Sequence, residues 1–335
     1  MNLVEEVWSS NIRGNALWKL QQKLKKLSKR LTQWSKEEIG NVHEQVKLWE
    51  SKMNDLEELD LQYNFNSSRE ELNKGQAKYI KWMTMQDSIL KQKANIKWFE
   101  EGDSNNKYFH SLIREKRRRL QLHKIKYHRD RWVEGDDNIA KATIRHFHKR
   151  FNITHQFKDI LDCIPRIITD DDNTLLTAMP NMEEIRYAVF DMGANSAASP
   201  DGFNDTFFQK CWDIIKDDIT NFVQEIFNGK RLTKFFSQTC LVLIPKVKSP
   251  NSFSELRPIS LSNFTAKIIF KILARRLNPI LHKIISENQN RFVKGRSITE
   301  NILLAQEITQ NIKNKNCGGN VIIKLDMEKA YDRMS

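Results

Sequence analysis

Apolar residues recur at spacings of three and four near the start of the chain, which is the period of an α-helix. A first stripe ends before Gly40, and a second stripe follows it one residue out of heptad phase. The stripes comprise Leu17, Leu20, Leu24, Leu27, Leu31 and Trp34, and then Val42, Val46, Trp49, Met53 and Leu56. Two interpretations are open: a long coiled-coil arm that self-associates, or two helices folded into a hairpin around Gly40. We favour packing within the chain, because the stripes do not form one unbroken heptad repeat.

Helical patterns continue through most of the sequence and are interrupted by short apolar runs typical of strands. Helices are expected over about 70–98, 104–122, 139–151, 182–192, 205–227, 261–281 and 298–312, with strands at 239–245 and 321–325 and a hairpin near 130–137. The acidic run 170–172 is expected in a linker, because it lacks the alternating ligands and the distal Glu of a calcium loop. The pattern predicts an α+β chain that is predominantly helical.

Charge is distributed in blocks along the chain. There are 55 basic and 42 acidic residues, a net charge of +13, which indicates a polyanionic partner. Ten Lys/Arg and two acidic residues lie between Lys107 and Arg131, and fourteen and two lie between Lys230 and Thr299. The stretch from Lys158 to Glu225 reverses the balance, with five basic and fourteen acidic residues. We therefore expect two separate basic patches. One hypothesis is a non-catalytic RNA- or DNA-binding protein that uses them.

Several classes of site are disfavoured by the sequence. The four cysteines are far apart and form no Cys-x-x-Cys pair, so neither a zinc knuckle nor a disulfide framework is indicated. His146 and His148 are two positions apart, which on a helix points them away from each other. The sequence contains no apolar run long enough for a membrane span and does not begin with a secretory signal. We expect a nuclear or cytoplasmic protein without a membrane partner.

Asp326 lies where the apolar run 321–325 ends and a helix-favouring segment begins. Taken alone, an Asp at such a junction is an N-cap. The upstream sequence changes that interpretation. Five segments occur in the order WFEEGDSNNKYFHSLIREKRRR (98–119), SPDGF (199–203), TCLVLIPKVKSPNSFSELRPISLSNFTAKIIFKILARRL (239–277), ENQNRFVKGRSITENILLAQEI (287–308) and KLDMEKAYD (324–332).

The chain resembles, from about residue 98 to residue 332, the reverse transcriptase of non-LTR retrotransposons, particularly the plant LINE type. The apolar stripes predict a helical arm or hairpin over 1–97 that could self-associate, and the resemblance implies a basic connector over 98–180. Residues 181–335 would be the N-terminal part of a right-hand polymerase, comprising the fingers and the start of the palm.

The resemblance also implies roles for individual residues. Asp326 would be a catalytic carboxylate that binds Mg²⁺, since two-metal nucleotidyl transfer needs carboxylates around ions about 4 Å apart. The incoming dNTP would be bound by Lys246, Arg257 and Tyr331, and the template by Gln289, Phe292, Gly295 and Arg296. The implied partners are an RNA template and a DNA primer.

Three departures from the family pattern bear on activity. Ser199 stands where the family has Gly, and Lys294 stands where FVPGR would have Pro. The second palm motif, an aromatic residue followed by Ala-Asp-Asp, occurs nowhere in the 335 residues. We therefore expect a truncated reverse transcriptase fragment that is inactive alone.

Overall fold

The computed structural model describes residues 2–63, 65–94, 106–127, 131–151, 165–193, 199–291, 293–310, 312, 314, 320–323 and 325. Helices dominate these residues, so the expected α+β class with mostly helical content is confirmed. The helices are α1 (Asn2–Trp8), α2 (Ala16–Trp34), α3 (Val42–Tyr63), α4 (Asn66–Ala94), α5 (Asn106–Leu120), α6 (Asp136–Phe151), α7 (Asp170–Thr177), α8 (Met182–Phe190), α9 (Asp205–Lys210), α10 (Trp212–Phe227), α11 (Lys234–Ser237), α12 (Phe264–Ile284) and α13 (Ile298–Gln310). The strands are β1 (Lys124–Tyr127), β2 (Arg131–Glu134), β3 (Thr239–Pro245) and β4 (Leu256–Ser262).

The first leucine stripe is buried in the main hydrophobic core. Leu17, Leu20, Leu24 and Leu27 are each at most 2% exposed and belong to one hydrophobic cluster with residues of α1, α8, α10 and α12. The N-terminus of α2 is fixed twice: the Asn15 side chain accepts a hydrogen bond from the Trp18 amide at 2.8 Å, and Glu225 accepts one from the Leu17 amide at 3.2 Å. Helix α2 is therefore an integral part of the main core.

Glu225 shows how this contact is held electrostatically. Burial raises the pKa of Glu225, but hydrogen bonds from Lys230 and from the amides of Ala16 and Leu17 outweigh it, so the net shift is downward. The carboxylate therefore stays charged beside the free N–H groups of α2, where a negative charge is favourable.

The expected hairpin around Gly40 is wrong. Helix α3, which ends at Tyr63, pairs with α4, which begins at Asn66. Gly75 permits this close approach, because a Cβ there would lie 2.7 Å from Leu56 Cδ1. The pattern identified both amphipathic helices but could not assign their partners, since periodicity gives a face and not its neighbour. Self-association through 1–97 stays a prediction.

A smaller core joins the connector to the region beyond it. Strands β1 and β2 pair antiparallel, and Ile125 packs with α6, Phe253 and Leu256. The His146 ring stacks on Phe253 with centroids 4.7 Å apart, which is an aromatic packing role. The predicted boundaries at 97/98 and 180/181 thus do not separate packing units, because both cores contain residues from either side of a boundary.

Two further predictions need correction. Residues 170–172 form the first turn of α7 and not a linker: the Thr169 side chain accepts from the Asp172 amide, and Asp172 accepts from the Thr169 amide. This capping box was hidden by the acidic run, which is also favourable at a helix N-terminus. The expected buried strand 321–325 is absent from its described positions, where Val321 and Leu325 are 83% and 88% exposed. A strand needs a hydrogen-bonded neighbour, and no described segment pairs with it.

Arg276 ties the helices of the main core together. Its guanidinium donates to both carboxylate oxygens of Glu184, at 2.8 and 2.7 Å, and to the carbonyls of Leu176 and Ala178. It is 7% exposed. This bidentate pair links α12 to α8 and to the end of α7. Among the helices that the structure describes, none is long and apolar enough to span a membrane.

Candidate functional site

Strands β3 and β4 form a two-stranded antiparallel ribbon. The sequence predicted β3 but missed β4, where Pro258 weakens a strand signal and where a helix was expected to begin at 261. Pro258 is opposite Leu243 in a ribbon that has no third strand among the described residues, so its missing N–H is tolerated. The helix begins at Phe264.

The ribbon has one packed and one exposed face. Leu241, Leu243 and Leu256 lie against the smaller core. The opposite face carries Val242, Ile244 and Ile259, which are 37%, 38% and 41% exposed. Because side chains alternate along a strand, this second face also carries Arg257, the one charged residue within β3 and β4, and Lys246 follows directly after β3.

Lys246 and Arg257 lie on that exposed face. Arg257 is directly opposite Ile244, and the Lys246 amide donates to the Glu255 carbonyl at 2.8 Å, which continues the register one step. Lys246 and Arg257 are therefore diagonal neighbours, whose Cα atoms in a regular ladder lie roughly 7 to 8 Å apart. Both side chains are exposed. The fold brings together two cations that are eleven positions apart in the sequence.

Lys246 is held by residues that sequence reasoning passed over. Its Nζ donates to the Ser254 carbonyl at 2.9 Å, and Glu255 accepts from the Asn251 amide at 2.6 Å. One acceptor leaves an ammonium group with further N–H donors. A point charge and a guanidinium fork on one surface suit a polyphosphate.

The segment 285–296 is shaped by Arg296. Its guanidinium donates to the carbonyls of Ser286, Gln289 and Ile285 at 2.6, 2.9 and 3.2 Å. Three of its five N–H donors are thereby used within the chain. Gln289 is exposed, and Gly295 has φ +88°, which favours glycine.

The remaining predicted site residues, Phe292, Asp326 and Tyr331, lie outside the described residues. In the part of the chain that the structure describes, no three His, Cys, Asp or Glu side chains cluster as a metal site would require. The described residues therefore do not by themselves form a two-metal centre.

Comparison with known proteins finds a polymerase family in the same part of the chain. The family model of the reverse transcriptase (RNA-dependent DNA polymerase) matches residues 244–335, which begin within β3 and include Lys246 and Arg257. Reverse transcriptases bind a nucleic-acid template and primer and a nucleotide, and they use divalent metal ions.

Two relatives extend the match toward the N-terminus. The chain is 24% identical over 237 residues to the transposon TX1 uncharacterized 149 kDa protein of Xenopus laevis, which covers 69% of this chain and 18% of that protein. It is 26% identical over 137 residues to the retrovirus-related Pol polyprotein from type-1 retrotransposable element R2 of Nasonia vitripennis, which covers 41% of this chain and 13% of that protein. The chain thus spans less than a fifth of the length of either relative.

These matches favour a polymerase origin over the hypothesis of a non-catalytic nucleic-acid-binding protein. The motif order and the three matches agree with one another. Together they show that residues 244–335 carry a reverse transcriptase domain and that the chain is similar to proteins of non-LTR retrotransposons.

Proposed function

We propose that this chain supplies the fingers of an RNA-directed DNA polymerase, with the exposed ribbon face as its contact to the incoming dNTP. The observation that carries the proposal is the placement of Lys246 and Arg257 on one exposed face within the matched segment. Lys246 would contact the triphosphate as a point charge, and Arg257 would bind two phosphate oxygens with its fork.

The proposed template path uses Gln289, Phe292, Gly295 and Arg296. The contacts of Arg296 refine its role: most of its donors hold the carbonyls of 285–289, so it shapes the segment and has at most two N–H groups left for a phosphate. Gly295 would allow the backbone to approach the strand closely.

Asp326 and Tyr331 complete the proposal for the palm. Asp326 would be one carboxylate ligand of Mg²⁺, and Tyr331 would lie under the sugar of the nucleotide. The described residues contain no group of three His, Cys, Asp or Glu side chains that could hold a metal ion, so the proposal gives them no metal-binding role. The proposed partners are an RNA template and a DNA primer, in the nucleus or cytoplasm.

Nucleotide binding by the chain tests the ribbon. Anisotropy of a fluorescent dNTP would be measured with Lys246→Met, Arg257→Met and, as a matched control, Lys248→Met, which removes an exposed charge two positions from Lys246. Loss of one charge-assisted contact is expected to weaken binding by about tenfold for the first two variants, and the control is expected to stay within about twofold. Equal behaviour of all three variants would show that the ribbon does not bind the triphosphate.

A further inference from the structure

A cleft of about 500 Å³ lies between α8, α12 and the segment that carries Lys294. Its lining includes Tyr187, Asp191, Lys271, Arg275 and Lys294 and none of the ribbon residues. The volume is within the usual range for a small-ligand site, so the cleft can take a few atoms of a strand but not a duplex.

The lining is strongly positive. Lys271 Nζ is 2.8 Å from Asp191 Oδ2, and Asp191 is the one carboxylate among the described lining residues. The hydrogen bond from Lys271 is the largest cause that holds the pKa of Asp191 below its usual range, and the charges of Arg275 and Lys294 add to it. Asp191 therefore stays ionised and offsets one of three cations.

Arg275 is available to a ligand, in contrast to its neighbour Arg276. Its guanidinium carbon is 3.6 Å from the Tyr187 ring centroid. That contact uses the flat face of the group and leaves its N–H edges for acceptors. Among the described residues the Arg275 guanidinium has no hydrogen-bond acceptor, whereas Arg276 donates to Glu184 and to two carbonyls.

Lys294 adds a charge that the family pattern lacks at this position. Val293 is 4% exposed and anchors the segment, and Gly295 at φ +88° turns the backbone immediately afterwards. Lys294 is exposed between them and lines the cleft. The replacement of Pro by Lys therefore changes the charge of a concave surface and not only a turn.

We propose that this cleft binds the phosphodiester backbone of a single-stranded nucleic acid, with Arg275 and Lys294 on phosphate and Tyr187 beside a base. Tyr187 is 53% exposed, and exposed aromatic rings beside basic residues are the usual platform for unpaired bases. The site is separate from the ribbon and does not require that the ribbon bind a nucleotide.

Binding of the full chain to a fluorescein-labelled single-stranded RNA of ten nucleotides, followed by anisotropy over a salt series, tests the proposal. Arg275→Gln is expected to weaken binding by about tenfold and to lower the salt slope by about one. Lys294→Met should act in the same direction. Asp191→Asn should strengthen binding by about two- to fivefold, because it removes a negative charge beside the phosphate.

Arg186→Gln is the matched control. Arg186 is an exposed arginine of α8 whose guanidinium lies 5.1 Å from the Phe190 ring, and it does not line the cleft. Its loss should change affinity by less than about twofold, as for a screened surface charge. Equal losses for Arg186→Gln and Arg275→Gln would overturn the proposal, because net charge alone would then explain binding.

Two further outcomes decide the question. If Arg275→Gln lowers the urea midpoint of unfolding, Lys294→Met and Asp191→Asn decide instead, and weaker binding by Asp191→Asn would refute the proposal. Vesicles of phosphatidylserine and phosphatidylcholine test another polyanion. Cosedimentation that Arg275→Gln abolishes, with RNA binding unchanged, would assign the cleft to a lipid surface and overturn the proposal.

Discussion

Replacing Arg276 by methionine is expected to destabilise the chain by about 3 kcal/mol. Methionine keeps an apolar stem of similar length, so its packing near Phe227 is largely retained. What is lost is the fork that joins α12 to Glu184 and to the carbonyls of Leu176 and Ala178. The variant therefore isolates the charged contacts.

The magnitude follows from the burial of the two partners. Arg276 and Glu184 side chains are 7% and 25% exposed. Breaking a fully buried pair costs about 3–5 kcal/mol, because it leaves an uncompensated charge. Since a quarter of Glu184 remains in water, the cost is expected at the lower end of that range.

Urea unfolding followed by circular dichroism measures this cost. Arg275→Met is the control, because Arg275 has the same chemistry at the next position but only a partly exposed ring contact, and it should cost less than about 1 kcal/mol. The double variant Arg276→Met with Glu184→Met should be more stable than Arg276→Met alone, because no charge is left buried without a partner. A cost below about 1 kcal/mol for Arg276→Met would refute the reasoning. So would a double variant whose cost equals the sum of the costs of Arg276→Met and Glu184→Met.

Three other predictions concern the core, the pH dependence and the template segment. Leu24→Ala should cost about 2–5 kcal/mol by urea unfolding, whereas Leu61→Ala, at a site 86% exposed, should change stability by less than about 0.5 kcal/mol; similar small costs for both would contradict the place of α2 in the core. The pKa of Asp172 is lowered from 3.8 to about 2, foremost by the hydrogen bond from Lys283, so its contribution to stability is complete above about pH 4 to 5 and is lost as pH falls toward 2. Asp172→Asn should make the free energy of unfolding depend less steeply on pH in that window. An unchanged pH dependence would count against the pairing with Lys283. Arg296→Lys should speed amide hydrogen exchange over 285–296, because a lysine cannot hold three carbonyls at once, and unchanged protection would mean that the segment is held otherwise.

Local pattern predicted the longer helices and β3, because their apolar periodicity is strong. It failed where the deciding contact is distant in sequence. Strand β4 forms because Leu256 and Ile259 meet β3 across a ladder, which overrides the proline signal. The main partner of the α2 stripe is α10, which begins 185 positions after Leu27, and no local pattern specifies it.

The candidate site was predicted residue by residue but not as an arrangement. Motif order named Lys246 and Arg257, while only the register of the ribbon shows that they share an exposed face. Arg296 was expected to face phosphate, and its carbonyl contacts, made within its own segment, could not be read from residue type. The sequence places Arg275 only within a basic block. Its stacking on Tyr187 depends on how α8 and α12 pack, which residue type does not specify.

The burial of α2 also depends on residues that are synthesised much later. The Leu17 amide reaches Glu225, 208 positions later. At common translation rates that separation corresponds to roughly 10–40 s during which the leucine stripe has emerged from the ribosome and its main partner, α10, has not. Over that interval the apolar face of α2 is exposed and prone to aggregate. Chaperones that bind apolar helices are therefore expected to bind residues 17–27 first.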